Sequence, residues 1–516
     1  MKVEFELSRT HLPIASLLRH AHELPDRPAL IDGAEGGLCI TYSELLQRVR
    51  STAAKLTAAG VKRGSRVAVV AGNQAIYPIV AFATNYLGAI YVPVNFRLAA
   101  REIAYILDNC EPTIVLTDAE RSETTRTAVA LTDTDVTHED LTKITAPGTE
   151  EPIPEPALCS ATDDQAIIYT SGTTGRPKGA VLTYSNVLAT TMRSSATGNF
   201  LPGQETVLLA SPMFHIAALA NLDANLANAA TTIISPSQGF NAGYTLDEME
   251  KHGVTRTYMV PSQWQLVVEE QRRAPRNLKL RFYGWGASPA TEAQLSALRE
   301  TFPEASSQAT FGQTETAGAG VSLRHEDSLR KLGSVGLPDR NFSIRVVDAE
   351  MNDVPRGEVG EIVYRGPGVM SRYWNNPEAT AEAFRGGWFH SGDLVRQDDE
   401  GFIYVVDRLK DMIISGGENI YSAELENVIA WHPKVADIAV IGKDDDKWGQ
   451  IPVAAIVPQN PNDPPTLEEI QHFCSDKIAR YKLPKETILL DAFPRNTMGK
   501  VQKTALRSAL EGAAQN

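Results

Sequence analysis

Between residues 170 and 179 the chain reads Thr170-Ser171-Gly172-Thr173-Thr174-Gly175-Arg176-Pro177-Lys178-Gly179. Glycines in such a stretch let the backbone approach an anion closely, the hydroxyls and successive N–H groups can donate to phosphate oxygens, and Lys178 adds a point charge. The chemistry this composition suits is polyphosphate binding. A nucleotide-hydrolase P-loop would end in Gly-Lys-Ser/Thr, but here Pro177 precedes the lysine and Gly179 follows it, so that pattern fails. The remaining alternative, a surface turn without chemistry, is disfavoured by the density of donors and by the apolar run that leads into the loop.

Regular elements must hold that loop in place. Ala166 to Tyr169 reads as a buried strand entering it. Upstream, Thr41 to Gly60 predicts an amphipathic helix, with Ser43 as its cap, Leu45, Leu46, Val49, Ala53 and Leu56 on one face, and Gly60 as its stop. Arg66 to Ala71 then reads as a strand covered on both faces. Ile76 to Val94 reads as a buried helix running into a strand, because Pro78, Asn85, Gly88 and Pro93 interrupt the roughly 20 apolar residues that a membrane span needs. Helix and strand alternate in this way to about residue 330, the pattern of α/β layers.

From Phe342 to Val406 the texture changes to short strands, Ser343 to Val347, Glu361 to Tyr364 and Phe402 to Val406, separated by Gly and Pro turns. Further on, Ser422 is expected to cap a helix, followed by strands Val435 to Ile441 and Pro452 to Val457. A Thr466 to Glu469 capping box then opens a helix through Ile478.

The 516 residues suffice for two to four folding units at roughly 150 residues each. With 43% hydrophobic and 22% charged residues the chain has the usage of a soluble globular protein. Its net charge of -14 excludes a broad basic field for nucleic acid or an anionic membrane, so any anionic ligand must be met locally. The cysteines Cys39, Cys110, Cys159 and Cys474 show no metal-ligand spacing and read as reduced, buried thiols of a cytoplasmic protein. The first residues lack the basic-then-apolar order of a secretory leader.

Four further segments follow the loop in chain order: Phe311-Gly312-Gln313-Thr314-Glu315, His390-Ser391-Gly392-Asp393, Asp407-Arg408-Leu409-Lys410-Asp411 and Pro494-Arg495-Asn496-Thr497-Met498-Gly499-Lys500. Together they resemble the motifs of the adenylate-forming superfamily of acyl-CoA synthetases, peptide-synthetase adenylation domains and beetle luciferases. The resemblance implies that Thr170, Ser171, Gly172, Thr173, Thr174, Gly175 and Lys178 cradle the phosphates of ATP. It further implies that Phe311 stacks on adenine beside Gly312 and Gln313, that Thr314 meets the α-phosphate, and that Glu315 holds Mg2+. A flat apolar ring and a hard carboxylate suit those tasks, although Phe311 stands where tyrosine is usual.

By the same likeness Gly284-Trp285-Gly286-Ala287-Ser288-Pro289 borders adenine and the acid pocket. Gly286, Ala287 and Ser288 would lie on the nucleotide, and Trp285, in a place often held by glycine, would reshape the pocket unless it turns toward a neighbouring helix. Asp393 would accept from the ribose hydroxyls with support from Arg408, Lys410 would be a hinge, and Gly417, within Ser415 to Ile420, would line the pantetheine channel. Lys500 would be catalytic, a cation between an attacking carboxylate and the α-phosphate.

The fold the resemblance implies is α/β. A large N-terminal adenylate-binding domain, 1–409, would combine layered sheets with a small β-barrel at about 340–406. Residue 410 would join it to a smaller, mobile α+β C-terminal domain, 411–516. The implied activity is that of an acid–thiol ligase using ATP, Mg2+ and coenzyme A. His215, in Pro212-Met213-Phe214-His215-Ile216-Ala217, stands where peptide-synthetase domains carry an aspartate for the substrate amino group, which disfavours an amino acid and assigns the histidine to the acid site. Gly312, a tryptophan in acetyl-specific relatives, implies a longer acid, fatty or aryl, with Val260 to Trp264 on the pocket wall. A carrier-protein thiol as acceptor, and a nucleotide-binding regulator without turnover, remain the rivals. Whether the chain is a homo-oligomer stays open.

Overall fold

Two sets of residues pack as separate units in the computed structural model. One holds the chain up to Ile344 together with Tyr364–Phe389; the other holds Arg345–Val363 and the chain from His390. The structure describes residues 6–7, 10, 12–33, 37–170, 176–237, 239–416, 418–445, 447–475, 477–495 and 501–507.

In the first unit, apolar runs without polar alternation become central strands, because a strand covered on both faces needs no polar side. Arg66–Val70 lies between Ile90–Pro93 and Ile114–Thr117, all parallel. The sheet continues from Ile90–Pro93 through Asp164–Thr170, Lys178–Thr183 and Arg372–Tyr373, and ends on its other side at Thr137–Asp140. The helix Tyr77–Tyr86, buried at every residue, precedes Ile90–Pro93, as the interrupted apolar run predicts. The amphipathic helix is Tyr42–Ala58, but its cap is Thr41 and not Ser43. Thr41 Oγ1 accepts from Glu44 N at 3.3 Å and Thr41 N donates to Glu44 Oε2 at 2.9 Å, a reciprocal box that leaves Ser43 inside the first turn.

A second sheet of this unit runs Ser334–Pro338, Gly320–Arg324, Ser306–Gly312, Phe282–Gly286, Arg256–Tyr258, Thr206–Leu209, Thr231–Ile234, Pro28–Asp32, Cys39–Thr41. Its strands from Ser306–Gly312 to Pro28–Asp32 are parallel, so Gly312, Gly286 and Tyr258 reach the same edge. Carboxyl ends of parallel strands are where ligands of open α/β sheets gather.

In the second unit Val359–Arg365, Phe389–Gln397 and Ile403–Arg408 lie side by side. The middle strand is absent from the sequence expectation, because His390-Ser391-Gly392-Asp393 has the composition of a turn. Beyond it, Val435–Asp445 and Gly449–Pro458 form a long antiparallel hairpin to which Ile413–Ser415 and Glu486–Leu489 also pair. These strands and the helices Ser422–Ile429 and Leu467–Cys474 enclose Ile413, Leu425, Ile429, Val440, Ile456 and Ile470. The Thr466–Glu469 capping box forms as predicted, but the helix stops at Cys474, and Ile478 packs on the same core from beyond it.

Ser422 does not cap its helix; it is the first helical residue, and Asp407 takes the capping role from a neighbouring strand. Its carboxylate accepts from Ser422 Oγ at 2.9 Å and Ala423 N at 3.3 Å. No disulfide joins the cysteines; Cys110 and Cys474 are buried, but Cys159 is half-buried and Cys39 exposed, so only two match the expected burial. Among the described residues no helix is long and apolar enough to cross a membrane.

Candidate active site

Thr170 and Lys178 are placed by strand register: Asp164–Thr170 and Lys178–Thr183 pair antiparallel with Thr170 opposite Lys178. The predicted phosphate loop is therefore the connection of a hairpin. Its members Ser171, Gly172, Thr173, Thr174 and Gly175 lie outside the described residues, as do Gly417 and Lys500.

Thr314, Glu315 and Thr316 form a short 3-10 turn directly after Ser306–Gly312. Gly318 N donates to Gln313 O at 2.9 Å, and Ala317 is left-handed at φ 51°, so the chain reverses within a few residues. A Cβ on Gly312 would stand 2.5 Å from Ala319 O. The closing backbone thus leaves no room for a side chain at Gly312. Phe311, half-buried, pairs in register with Val321.

Glu315 is buried, and Thr170 Oγ1 donates to its Oε1 at 3.1 Å. A second donor to the same oxygen, at 3.0 Å, is the hydroxyl of Tyr373. Burial, reinforced by the Glu315 charge, raises that phenol well above its ordinary range, so it stays protonated and donating. The same ring lies 5.3 Å from Lys178 Nζ, within reach of a cation–π contact. Thr170, Lys178, Glu315 and Tyr373 thus form one cluster.

Tyr373 carries no motif signal that the sequence reading used. Pairing brings it in: Arg372–Tyr373 adds to the edge of Lys178–Thr183, with Tyr373 opposite Ala180. Its segment is pinned along its length. Asn186 Nδ2 donates to Pro367 O and Val369 O, both at 2.8 Å, Met370 N to Glu315 O at 2.7 Å, and Trp374 N to Gly179 O at 2.7 Å. One segment therefore grips Glu315 by both its carbonyl and its carboxylate.

Among the described residues no group of three or more His, Cys, Asp or Glu side chains is placed to hold a metal. Glu315 nevertheless fits magnesium that comes with phosphates, since that ion is held by one or two carboxylates, phosphate oxygens and water. Both described hydrogen bonds of the Glu315 carboxylate fall on Oε1, which fixes its orientation while sparing Oε2.

Gly284 and Gly286 lie against Tyr258. A Cβ on Gly284 would come 2.7 Å from the Tyr258 ring, and one on Gly286 would strike its hydroxyl and stand 2.5 Å from Thr310 O. Ala287 is left-handed at φ 67°, and both Ala287 and Ser288 are exposed. Trp285 does not reshape this region. Alternation turns it to the opposite face, where it stacks on Tyr283 with centroids 6.3 Å apart. Tyr283 in turn meets Trp264 and Phe302. Trp264, expected on the pocket wall, is buried in that layer and donates from Nε1 to Gly284 O at 2.9 Å.

His215 is the N-cap of the helix Ile216–Ala227, where Nδ1 accepts from Ala217 N at 3.2 Å. That bond fixes the ring and places any ring proton of the neutral form on Nε2.

In the second unit, Asp393 and Arg408 are register partners on Phe389–Gln397 and Ile403–Arg408. Arg408 Nε meets the buried Asp393 Oδ1 at 2.6 Å. The preceding residues shape the bend: Gly392 is left-handed at φ 70°, its N–H donates to Glu361 Oε1 at 2.9 Å, and Ser391 Oγ accepts from Asp393 N at 3.0 Å. Lys410 is exposed in the turn Leu409–Asp411. Gly416, left-handed at φ 60°, sits in a tight hairpin between Ile413–Ser415 and Glu418–Ile420.

A family model for AMP-binding enzymes matches residues 17–374, and one for the C-terminal domain of AMP-binding enzymes matches 424–500. The chain is 35% identical to the 2-succinylbenzoate–CoA ligase of Bacillus cereus, over 96% of this chain and 98% of that one. It is 37% identical to the feruloyl-CoA synthase of an Amycolatopsis species, over 92% and 94% of the two chains. A solved structure of the o-succinylbenzoate CoA synthetase of Bacillus subtilis, in complex with its acyl-adenylate intermediate, superposes with a TM-score of 0.86 at 32% identity, covering 95% of this chain and 97% of that one.

Proposed function

Because this chain belongs to the AMP-binding enzyme family and is an AMP-forming acid–thiol ligase that uses ATP, magnesium and coenzyme A, we propose that it activates an aryl carboxylic acid and that the residues described above divide the work. The observation that carries this reading is the cluster in which Thr170 and Tyr373 hold Glu315 beside Lys178. Lys178 offers positive charge to the phosphates, and the loop from Thr170 to Gly175 offers donors. Glu315 is the carboxylate for magnesium, which when bound neutralises phosphate charge. Thr314 donates to the α-phosphate, Phe311 stacks on adenine with Gly312 and Gln313 beside it, and Gly286, Ala287 and Ser288 border the base.

Asp393 accepts from the ribose hydroxyls. Arg408 keeps it oriented, since a carboxylate paired with a guanidinium accepts hydroxyl protons in a fixed direction. His215, oriented by its capping bond, stands at the acid site. Lys500 places a cation where the attacking carboxylate and the α-phosphate meet, lowering their repulsion. Attack of the acid on that phosphorus expels pyrophosphate and leaves an acyl adenylate; the thiol of coenzyme A then takes the acyl group and AMP departs. We place a hinge at Lys410, between an adenylate-binding domain ending at 409 and a C-terminal domain beginning at 411, with Gly417 lining the thiol channel. Cysteines without disulfides fit a cytoplasmic setting.

An aryl acid is favoured over a fatty acid by the relatives that act on 2-succinylbenzoate and form feruloyl-CoA. Mass-spectrometric screening of aryl and straight-chain acids with ATP and coenzyme A tests the reading. Thioesters from aryl acids are expected; thioesters from straight-chain acids alone would overturn the aryl assignment.

A further inference from the structure

A cavity of about 100 Å³ lies between the second sheet of the first unit and the helices Tyr184–Thr197 and Ile216–Ala227. Ala217, Thr310 and Gly318 line it beside the Thr314–Thr316 turn, and Phe200 and Arg256 line it at the opposite, amino-terminal ends of the strands. It is therefore positioned to take the body of an acid whose carboxylate is at the adenylation cluster.

Two arginines border this space, and they are in different states. Arg256 is engaged: Nη1 donates to Gly198 O at 2.7 Å, Glu205 lies 3.7 Å away, and the guanidinium sits 4.4 Å and 4.1 Å from the ring centroids of Phe200 and Phe282. Arg193 is not. Its side chain is only 11% exposed, yet among the described residues its one hydrogen bond runs from Nη1 to Ser322 Oγ at 3.2 Å. Nε is buried without a hydrogen-bond partner, and Asp339 Oδ2 lies 3.7 Å from it. A guanidinium has five N–H donors, and buried donors are ordinarily satisfied. Asp339 is meanwhile held by donors of its own, Ser322 Oγ at 2.7 Å and Gly320 N at 3.3 Å.

We infer that Arg193 is a specificity-determining residue that donates to an uncharged, hydrogen-bond-accepting oxygen on the body of the acid, such as a phenol, ether or ketone oxygen. This rests on the ligase reading and narrows its substrate class. The charge count selects a neutral acceptor: Asp339 already matches the Arg193 charge, so a second carboxylate would gain one cation and face one anion at short range. Tyr258 adds another polar group at the same level. It lines the cavity with its ring against Gly284 and its hydroxyl against Gly286. Plain alkyl chains would leave the buried Arg193 donors unsatisfied, which is the situation in which a site discriminates most strongly.

The test compares kcat/KM for matched aromatic acids: unsubstituted, bearing a ring hydroxyl or methoxy group, and bearing a second carboxylate. The native enzyme is expected to prefer the neutral oxygenated acid over the unsubstituted one by roughly tenfold or more, the range for a hydrogen bond to a charged donor. Arg193→Met should bring that ratio close to one. Because this change strands a buried Asp339, the double variant Arg193→Met/Asp339→Asn is measured beside it, and the same collapse of the ratio is expected. An unchanged ratio in a folded variant, or a native preference for the dicarboxylate or the unsubstituted acid, overturns the inference. If no acid of any kind forms an adenylate, the ligase reading itself fails; turnover of alkyl acids alone sinks the role of Arg193 and the aryl assignment but leaves the ligase reading standing.

Discussion

Replacing Tyr373 by phenylalanine removes one hydroxyl and keeps the ring beneath Lys178, so it isolates the bond to Glu315. The carboxylate loses one of two described donors, both on Oε1, while Thr170 Oγ1 at 3.1 Å and the Met370 N–H on the Glu315 carbonyl remain. A hydrogen bond to a charged group contributes roughly 1.5–3 kcal/mol, and retention of the Thr170 bond places this case at the low end, about 1.5 kcal/mol. At about 1.4 kcal/mol per factor of ten, the expected loss is about tenfold. If Glu315 is the magnesium carboxylate, that loss should appear as a higher magnesium requirement, because a less firmly oriented Oε2 binds the ion less well. The assay is pyrophosphate–ATP exchange at a saturating acid concentration with magnesium varied, alongside thermal unfolding. A rate loss of equal size at every magnesium concentration, or none at all, would show that the Tyr373 hydroxyl does not orient a magnesium ligand.

Three further outcomes are expected. Arg408→Gln should raise the KM for ATP severalfold in the same exchange assay; since Arg408 is 42% exposed, the accompanying stability loss should be modest, about 1 kcal/mol by denaturant unfolding. Lys500→Ala should lower adenylate formation about a hundredfold or more while leaving thioester formation from a supplied acyl adenylate largely intact; equal loss in both half-reactions would remove its assigned role. Asp223, buried and accepting from Gln165 Nε2 at 2.7 Å, is pushed up to about 7 by burial. A carboxyl whose folded value is raised favours folding in acid, and that contribution is lost as the pH rises from the ordinary carboxyl range through about 7. Thermal unfolding of Asp223→Asn should therefore fall less between pH 5 and pH 8 than that of the native protein.

What could be read from sequence was whatever depends on neighbours along the chain. The buried strand before Thr170, the helix-to-strand run through Tyr77–Tyr86 and Ile90–Pro93, and the Thr466–Glu469 box are local signals, and each forms. Residues whose meaning depends on distant partners were misread or missed. Tyr373 reaches Glu315 only because a two-residue strand pairs with Lys178–Thr183. For Trp285 the sequence left a pocket role and a turn toward a neighbouring helix both open, and strand alternation decides for the aromatic layer. Asp407 caps a helix that begins at Ser422, a substitution no local window could expose. Arg193 sits in a helix of ordinary polar composition, and nothing in its neighbours signals a buried guanidinium short of partners. Gly312 carries a packing demand that its sequence neighbours do not announce, since the closing turn leaves no room for a Cβ there.

An acid–thiol ligase of this kind must form its acyl adenylate before any thiol is involved. Incubating the protein with magnesium ATP, labelled pyrophosphate and a panel of aryl acids, with coenzyme A omitted, tests this most directly. Acid-dependent incorporation of label into ATP is predicted, with AMP and a thioester appearing once coenzyme A is added. No incorporation with any acid, or ADP as the nucleotide product, would contradict it.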